Sequence, residues 1–198
     1  MVKLIDLYPY RRVAGLQGGG LGVGGSGVGA FGVGASGVGG SGGGGSERGA
    51  LEVGGSGGDR GSGIEFLLMK RAQGKIYAGQ WRMVGGKVEL GESHWMAARR
   101  EFEEETRLSM RVFWTVPSVN QFYEYKTDTI YRIPVFAAEL EPEAEPVLND
   151  EHTEYRWVSG EHVADYVLWP EQQRLMGVIE RIVSLNQILP EWTIEDHR

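Results

Sequence analysis

The sequence GGKVELGESHWMAARREFEEETRL, residues 85–108, predicts a helix with one acidic face and one apolar face. A helix over residues 93–107 turns by ~100° per residue, so Glu101, Glu104 and Glu105 share an arc of about 100°. The adjacent arc carries apolar residues at the i, i+3 and i+7 spacing of a buried stripe: Trp95, Ala98 and Phe102. One face of this helix is therefore expected to pack, and its neighbour to present carboxylates.

The acidic face of the predicted helix has two interpretations. Three carboxylates on one face repel one another and would weaken an isolated helix. A hard divalent cation would offset this repulsion, because Mg²⁺ binds through a few carboxylates together with substrate phosphates. The alternative is a surface helix with solvated acidic side chains.

The spacing within this stretch resembles the Nudix box, the signature of the Nudix hydrolases, over residues 86–108. The matching positions are Gly86, Glu92, Arg100, Glu101, Phe102, Glu104, Glu105 and Leu108. The chain departs from the family pattern at Arg107, where the family has glycine, and at Val84, where many members have proline. Arg107 falls at the predicted helix C-terminus, where glycine is a favoured cap and a cation suits the helix dipole. The departure therefore concerns the local turn more than the chemistry.

The resemblance implies roles for individual residues of the box. Five of them are expected to be catalytic: Glu92, Arg100, Glu101, Glu104 and Glu105. A bound Mg²⁺ or Mn²⁺ is expected to have as ligands Glu101, Glu104, Glu105 and the carbonyl of Gly85. Arg100 is expected to orient a box glutamate, and the general base stays open among Glu92, Glu104 and Glu151.

A second stretch, DEHTEYRW at residues 150–157, resembles part of the bacterial nucleoside and dihydroneopterin triphosphate pyrophosphohydrolases. In that subgroup the first glutamate of the stretch is a metal ligand from outside the box helix, which here is Glu151. The alternative for Glu151 is an exposed loop position, because most acidic side chains are simply exposed. Candidates for contact with substrate phosphates are Arg71, Arg11 and Arg12, with a surface role as an equal alternative for the last two.

The composition restricts the class of protein. The chain has 198 residues, a net charge of −7 and no cysteine, so a disulfide framework and a thiolate metal site are excluded. The N-terminal residues lack the layout of a signal peptide, and no apolar run approaches ~18 residues, so we expect a cytoplasmic protein without a membrane partner. The negative charge argues against nucleic-acid binding but permits a small phosphate substrate, because bound metal changes the sign locally.

Glycine is concentrated in one segment of the chain. Of 32 glycines, 25 lie between residues 15 and 63, with pentapeptides of the GVGGS type repeated from residue 22. Such a composition cannot bury enough apolar surface to offset its ordering entropy, so it predicts a flexible segment. An elastin-like, self-associating segment is the alternative.

The remainder of the chain has the size and pattern of one α/β domain. Strand patterns flank the glycine-rich segment at 2–12 and 64–71, so we interpret 15–63 as an insertion between the first two strands of a single domain, 1–198. Further strands are predicted at 80–84, 111–116, 120–125, 129–139 and 154–158, and helices at 93–107, 160–166 and 170–187. Together with the resemblance, this order implies an α/β/α sandwich with a mixed sheet.

The expected function is Mg²⁺-dependent hydrolysis of a phosphoanhydride bond in a nucleoside di- or triphosphate derivative. The alternative is a catalytically silent Nudix-like domain that binds or senses nucleotides, which would be expected to have lost box carboxylates. This chain keeps them. The expected partner is a small nucleoside phosphate. The sequence leaves open which one, and whether the chain forms a homodimer.

Overall fold

The computed structural model describes residues 3–13 and 63–195, which form a mixed β-sheet with helices against both faces. The strands are β1 (Leu4–Arg12), β2 (Ile64–Arg71), β3 (Trp81–Arg82), β4 (Val84–Lys87), β5 (Val112–Glu124), β6 (Thr129–Leu140) and β7 (His152–Ser159). The helices are α1 (His94–Thr106), α2 (Val163–Tyr166) and α3 (Pro170–Ser184), with 3₁₀ turns at Gly160–His162 and Pro190–Trp192. None of these described helices is long and apolar enough to cross a membrane.

Strand β1 lies at the centre of the sheet and has partners along both edges. On one edge it pairs in parallel with β6. On the other edge, β4 pairs antiparallel with its first half, where Leu7 lies opposite Val84, and β2 pairs antiparallel with its second half, where Tyr10 lies opposite Phe66. Pro9, which has no N–H to donate, lies between these two paired segments. Along this edge, β1 therefore changes its antiparallel partner from β4 to β2.

The core is divided between the two faces of the sheet because successive side chains of a strand point to opposite sides. Tyr8 of β1 packs in a cluster with Leu175 of α3. Leu7, the preceding residue, packs in a second cluster with Phe102 of α1. All four side chains are fully buried. Helix α3 therefore covers one face and α1 the other, and the predicted α/β/α sandwich with a mixed sheet is confirmed.

The first two strands are joined through residues 14–62, which lie outside the described part of the chain. The N–H of Val13 donates to the carbonyl of Gly63 at 2.8 Å, and Arg12 lies opposite Ile64. The chain therefore leaves and re-enters the sheet at adjacent residues. The predicted flexible insertion, 15–63, lies outside the described residues except for Gly63, and so it stays a prediction, as does the single domain of 1–198.

We expect that replacing residues 14–62 with Asn-Gly will stabilise the fold. A two-residue type I′ turn suits antiparallel strands that end in a hydrogen-bonded pair such as Val13 and Gly63. Shortening the connection from 49 residues to two removes about 2–3 kcal/mol of loop-closure entropy cost, at ~0.6 kcal/mol per halving. Urea denaturation would measure the gain, and kcat/KM should stay within a few-fold. A variant that folds but has lost its activity would show that the removed residues belong to the active site.

Helix α1 has a cap at each end. At the start, the Ser93 hydroxyl accepts a hydrogen bond from the Met96 N–H at 3.4 Å. At the end, Arg107 has a left-handed backbone with φ of 59°, and its N–H donates to the carbonyl of Glu103. Such a conformation costs a residue with a side chain roughly 1–2 kcal/mol, whereas glycine adopts it freely. Arg107 therefore retains the turn for which the family uses glycine, at a cost in strain.

Arg107→Gly is accordingly expected to raise the free energy of unfolding by about 1 kcal/mol, because relief of left-handed strain exceeds the loss of the helix-dipole contact. Urea denaturation of both proteins would measure the difference. Arg107→Ala is the matched control, since alanine removes the charge but keeps the strain. An equal gain in both variants would show that charge, not backbone strain, limits stability here.

Three predicted strands are joined or divided differently in the structure. Strand β5 continues through Pro117, although the sequence predicted a break between residues 116 and 120. Its register with β6 shifts between Thr115 and Val119, and such an irregularity accommodates a proline within a strand. The strand predicted at 80–84 is divided into β3 and β4, and β4 extends through the two glycines to Lys87.

Candidate active site

A cavity of about 220 Å³ lies beside β4 and receives side chains from both faces of the sheet. We call one set of its residues the Glu105 part of the lining: Arg71, Gly85, Gly86, Glu105 and His152. We call a second set the aromatic part of the lining: Tyr77, Arg82, Phe122 and Trp169. The cavity therefore combines part of the sequence-predicted site with residues that sequence reasoning did not select.

Arg100 of α1 fixes the loop between β4 and the helix. Its Nε and Nη2 donate to the two carboxylate oxygens of Glu92 at 3.0 and 3.1 Å. Nη2 also donates to the carbonyl of Lys87 at 3.0 Å. The hydrogen bonds from Arg100 lower the pKa of Glu92. Because bidentate guanidinium–carboxylate pairs are strong and directional, Arg100 and Glu92 together set the position of the glycines in β4.

The same guanidinium also faces two carboxylates of its own helix. Arg100 Nη1 lies 3.1 Å from Glu101 Oε1 and 3.4 Å from Glu104 Oε2. The Glu101 carboxyl lies against Gly86, where a Cβ atom would overlap it, so only glycine permits this approach. Burial raises the pKa of Glu101, and the hydrogen bond from Arg100 opposes that rise. Glu101 is thus held between Arg100 and the backbone of β4.

Glu105 is the buried carboxyl of the box. Its side chain is 2% exposed and lines the cavity. Its Oε2 atom has no hydrogen-bond partner among the residues that the structure describes. Burial raises the pKa of Glu105 to about 8, and the charge of Glu101 adds to the rise while Arg71 opposes it. A buried carboxyl with an unpaired oxygen is a group that a bound cation would satisfy.

The turn before β7 places Glu151 next to the Glu105 part of the lining. Arg71 Nη1 donates to Glu151 Oε2 at 2.8 Å, and Lys75 Nζ donates to Oε1 at 3.1 Å. These contacts, that of Arg71 first, lower the pKa of Glu151. Arg71 lines the cavity, and its contact with substrate stays a prediction. Both carboxylate oxygens of Glu151 are therefore engaged by side-chain cations.

His152 is buried in the cavity wall, 6% exposed, with Nε2 lying 3.4 Å from Arg71 Nη1. Burial and, second, the charge of Arg71 together lower the pKa of His152 to about 4. The ring is therefore neutral at physiological pH.

Seven of the sequence-predicted residues are not part of the cavity lining: Glu92, Arg100, Glu101, Glu151, Glu104, Arg11 and Arg12. Glu104 is half exposed on α1, with Arg100 as its neighbour. Arg11 forms an ion pair with Glu65 at 2.7 Å, and its guanidinium lies 4.2 Å from the centre of the Trp157 ring. Arg12 pairs with Glu139 at 3.2 Å. The structure therefore does not bring Arg11 and Arg12 to the site, and we leave them out of it.

The expected divalent cation can be tested against the donors present. Within residues 3–13 and 63–195, no three His, Asp or Glu side chains converge as a ready-made metal-binding group. The donor types nonetheless fit such a cation, because Mg²⁺ takes carboxylate and carbonyl oxygens and keeps several waters. The unpaired oxygen of Glu105 and the close approach of Glu101 to Gly86 are the observations that support this fit.

The aromatic part of the lining forms a set of ring contacts around Trp169, the residue before α3. The Trp169 ring lies edge-on to Tyr77 at 5.6 Å and to Phe122 at 5.7 Å between ring centres. The Arg82 guanidinium lies 4.5 Å from the centre of the Tyr77 ring and 5.7 Å from that of Trp169. Sequence reasoning missed these residues because they come from four separate segments of the chain and share no motif.

Comparison with known proteins identifies relatives in sequence. The family model described as NUDIX domain matches residues 57–177. The nucleoside triphosphatase NudI of Salmonella newport (strain SL254) is 33% identical over 111 residues, covering 52% of this chain and 79% of NudI. NudI of Salmonella typhi gives the same values.

Solved structures of similar fold have lower sequence identity. The Ap4A hydrolase of C. elegans, in a binary complex, has a TM-score of 0.58 at 18% identity, covering 93% of this chain and 98% of that one. The NUDIX domain of Shewanella oneidensis NrtR, complexed with ADP ribose, has a TM-score of 0.57 at 11% identity, covering 92% and 88%. At these identities the likeness concerns the fold alone.

Proposed function

Because this chain belongs to the NUDIX domain family, we propose that it is a metal-dependent hydrolase of a phosphoanhydride bond in a nucleoside di- or triphosphate derivative. The observation that carries the proposal is the cavity itself. Its lining joins a buried carboxyl and a guanidinium, Glu105 and Arg71, to a group of aromatic rings. The first set suits charged phosphates with a cation, and the second suits a planar base.

Each box residue has a proposed role that follows from its contacts. Glu101 and Glu105 would hold the cation from α1, with further oxygens from Glu104 and the Gly85 carbonyl. The bound cation would neutralise charge on the phosphate oxygens and lower the pKa of attacking water. Arg100 positions Glu92 and Glu101, and Arg71 would contact a phosphate oxygen from the cavity wall.

The contacts narrow the choice of general base. Glu92 and Glu151 each have both carboxylate oxygens engaged by side-chain cations. Glu104 has a single contact, at 3.4 Å from Arg100, so Glu104 is the proposed base.

A larger fall in kcat for Glu104→Gln than for Glu151→Gln would support this assignment, and the reverse order would transfer the role to Glu151. Because Arg71 and Lys75 already bind both carboxylate oxygens of Glu151, we propose that Glu151 is at most a secondary metal ligand.

The proposal is tested by incubating the purified protein with Mg²⁺ and a substrate panel. The panel contains ribo- and deoxyribonucleoside triphosphates, nucleoside diphosphates, dihydroneopterin triphosphate, a dinucleoside polyphosphate and a nucleotide sugar. Phosphate and pyrophosphate are quantified separately, because their ratio identifies the bond that is cleaved. Hydrolysis of none of these compounds, together with measurable nucleotide binding, would instead support a catalytically silent binding domain.

A further inference from the structure

Two cations near the end of β2 bind a single carboxylate. Arg71 is the last residue of β2, and Lys75 lies in the loop that leads to β3. Arg71 Nη1 donates to Glu151 Oε2 at 2.8 Å, and Lys75 Nζ donates to Glu151 Oε1 at 3.1 Å. Each carboxylate oxygen therefore has its own cation. Guanidinium and ammonium groups bind phosphate oxygens as well as carboxylate oxygens, so the same two cations are arranged to bind two oxygens of a phosphate group.

The backbone of Glu151 is fixed independently of its side chain. Its carbonyl accepts a hydrogen bond from the Ala72 N–H at 2.8 Å, and its N–H donates to Asn149 Oδ1 at 3.0 Å. The Glu151 side chain is 36% exposed, so it can rotate towards solvent about its own bonds. The carboxylate can therefore leave the two cations while the turn before β7 keeps its position.

The two cations lie beside the cavity that holds the buried carboxyl of the box. Arg71 lines this cavity together with Glu105, and so do Ile76 and Tyr77, the residues that follow Lys75 in the loop. A phosphate group bound near Glu105 would therefore meet Arg71, whose Nη1 already donates to Glu151. The phosphate group and the Glu151 carboxylate require the same donor.

The carboxylate and a phosphate group cannot both occupy this pair of cations. Two anions within a few ångströms of each other repel, and each would lose hydrogen bonds to the other. A singly charged anion would only replace the charge that Glu151 already supplies, so it gains little by displacing the carboxylate. A phosphate chain carries several negative charges and gains more from the exchange.

We propose that Glu151 is an internal competitor for the phosphate groups of the substrate, and that Lys75 joins Arg71 as a phosphate-binding residue once the carboxylate has rotated away. The proposal rests on the proposed function, because it concerns the phosphate end of the same cavity. In the structure, the carboxylate satisfies both cations and withholds them from other anions. The pair is thus set to exchange its partner for a phosphate chain.

Binding of inorganic pyrophosphate in EDTA tests the competition without metal and without hydrolysis. The titration is followed by the phosphorus NMR signal of pyrophosphate at constant ionic strength. Glu151→Gln removes the charge but keeps nearly the same shape. We expect this variant to bind pyrophosphate about 10-fold more tightly than the wild type, the scale of two partly exposed ion pairs. Unchanged or weaker binding by the variant, or no measurable binding by either protein, would overturn the proposal.

Asp150→Asn is the matched control for the loss of one negative charge. Asp150 Oδ2 lies 3.6 Å from Lys75 Nζ, but the Asp150 side chain is 89% exposed. A general change in charge would act through both acidic residues alike, whereas displacement acts through Glu151. We therefore expect Asp150→Asn to change the pyrophosphate affinity less than about 2-fold, as for a solvent-screened pair. Equal gains in the two variants would show that net charge, and not occupation of the two cations, sets the affinity.

A double-mutant cycle of Glu151→Gln and Lys75→Met separates competition from a merely structural role of Glu151. In the wild-type background, Lys75→Met removes a phosphate contact and also weakens the hold on Glu151, so the two effects partly cancel. In the Glu151→Gln background only the phosphate contact is lost, so Lys75→Met is expected to weaken pyrophosphate binding at least ~3-fold more than in the wild type. Additive effects would overturn the assignment of Lys75.

Both substituted side chains are partly exposed, at 33% for Lys75 and 36% for Glu151, and thermal melts would establish that each variant folds. Glu151→Ala provides a second test of the same loss of charge, and it should also bind pyrophosphate more tightly than the wild type. A folded Glu151→Ala without this gain would contradict the competition.

Failure of this proposal is distinguishable from failure of the proposed function. Hydrolysis of compounds in the panel, together with an unchanged pyrophosphate affinity of Glu151→Gln, would retain the enzyme and reject the internal competitor. Tighter pyrophosphate binding by Glu151→Gln, without hydrolysis of any compound in the panel, would retain the competitor and reject the enzyme.

Discussion

Dialysis against EDTA is expected to abolish phosphoanhydride hydrolysis, and added Mg²⁺ to restore it. The physical reason lies in the side chains around the cavity. Burial raises the pKa of both Glu101 and Glu105, and the charge of Glu101 also raises the pKa of Glu105. Without a cation, the carboxylates would also repel the negative phosphates of a substrate. The measurement is release of phosphate and pyrophosphate before and after chelation, and the expected change is complete loss.

Potassium chloride added to the chelated protein at matched ionic strength is the control for this experiment. It screens exposed charges equally but does not coordinate to carboxylates. If potassium chloride restored hydrolysis, or if activity persisted in EDTA, the proposed metal-dependent mechanism would be wrong.

Glu105→Gln is expected to lower kcat by at least ~10²-fold, the scale of losing one electrostatic or acid–base element of a site. Glutamine has nearly the same shape, so the packing of α1 is retained while the charge is lost. The measurement is kcat at saturating Mg²⁺ on the best substrate of the panel. Glu103→Gln is the matched control, because Glu103 is exposed on another face of α1, 3.8 Å from Arg99. If both variants lost activity equally, the acidic face would be assigned wrongly.

The same Glu105→Gln variant should be more stable than the wild type in metal-free buffer. The folded-state pKa of Glu105 is about 8, above the ordinary value of 4.5, so the folded form favours the protonated carboxyl. Wild-type stability therefore falls relative to the variant as pH rises from about 4.5 to about 8, and the gap disappears below pH 4.5. We expect a gap on the order of 1–3 kcal/mol at pH 7. Urea denaturation at several pH values would measure it, and a pH-independent gap would contradict the role of the charge.

The box and the fold class were predictable because their signals are local in the sequence. The acidic and apolar arcs of α1 follow from helical spacing alone, and Phe102 is fully buried as expected. The strands on either side of residues 14–62 were also recognisable from their apolar patterns. Family membership and the mixed-sheet sandwich are therefore confirmed, whereas the roles of the individual site residues stay predictions.

The cavity could not be predicted in the same way. Asp6, Arg82, Asn120 and Gln172 are separated by up to 166 positions and come together only when β1, β3, β5 and α3 are assembled. None of them has a partner at a recognisable spacing. Trp169 directly precedes the helix predicted at 170–187, and no pattern around it predicts a cluster of rings. Burial of polar side chains is a property of the tertiary fold, so its functional signal was absent from the sequence pattern.

Two local errors have a physical cause as well. The sequence predicted separate strands at 111–116 and 120–125, yet β5 continues through Pro117, and the shift in register between β5 and β6 accommodates this proline, which lacks an N–H. Gly85 and Gly86 have low strand propensity, but pairing of β4 with β1 holds them in extended backbone. In both cases, pairing with a neighbouring strand overrides the preference of the individual residue.

Residues 14–62 are the only covalent connection between β1 and the other described strands. The hydrogen bond between Val13 and Gly63 joins the two ends of this connection. A protease cut within residues 14–62 would leave the central strand as a detached peptide, with Ile5 to Tyr10 buried in the sheet. The covalent connection makes pairing of this strand intramolecular and therefore independent of protein concentration. After cleavage, integrity of the sheet would depend on the concentration of peptide, as in fragment complementation. A synthetic peptide of residues 1–13 could then exchange into the cut protein and introduce an unnatural side chain at Asp6, with gel filtration reporting the reassembly.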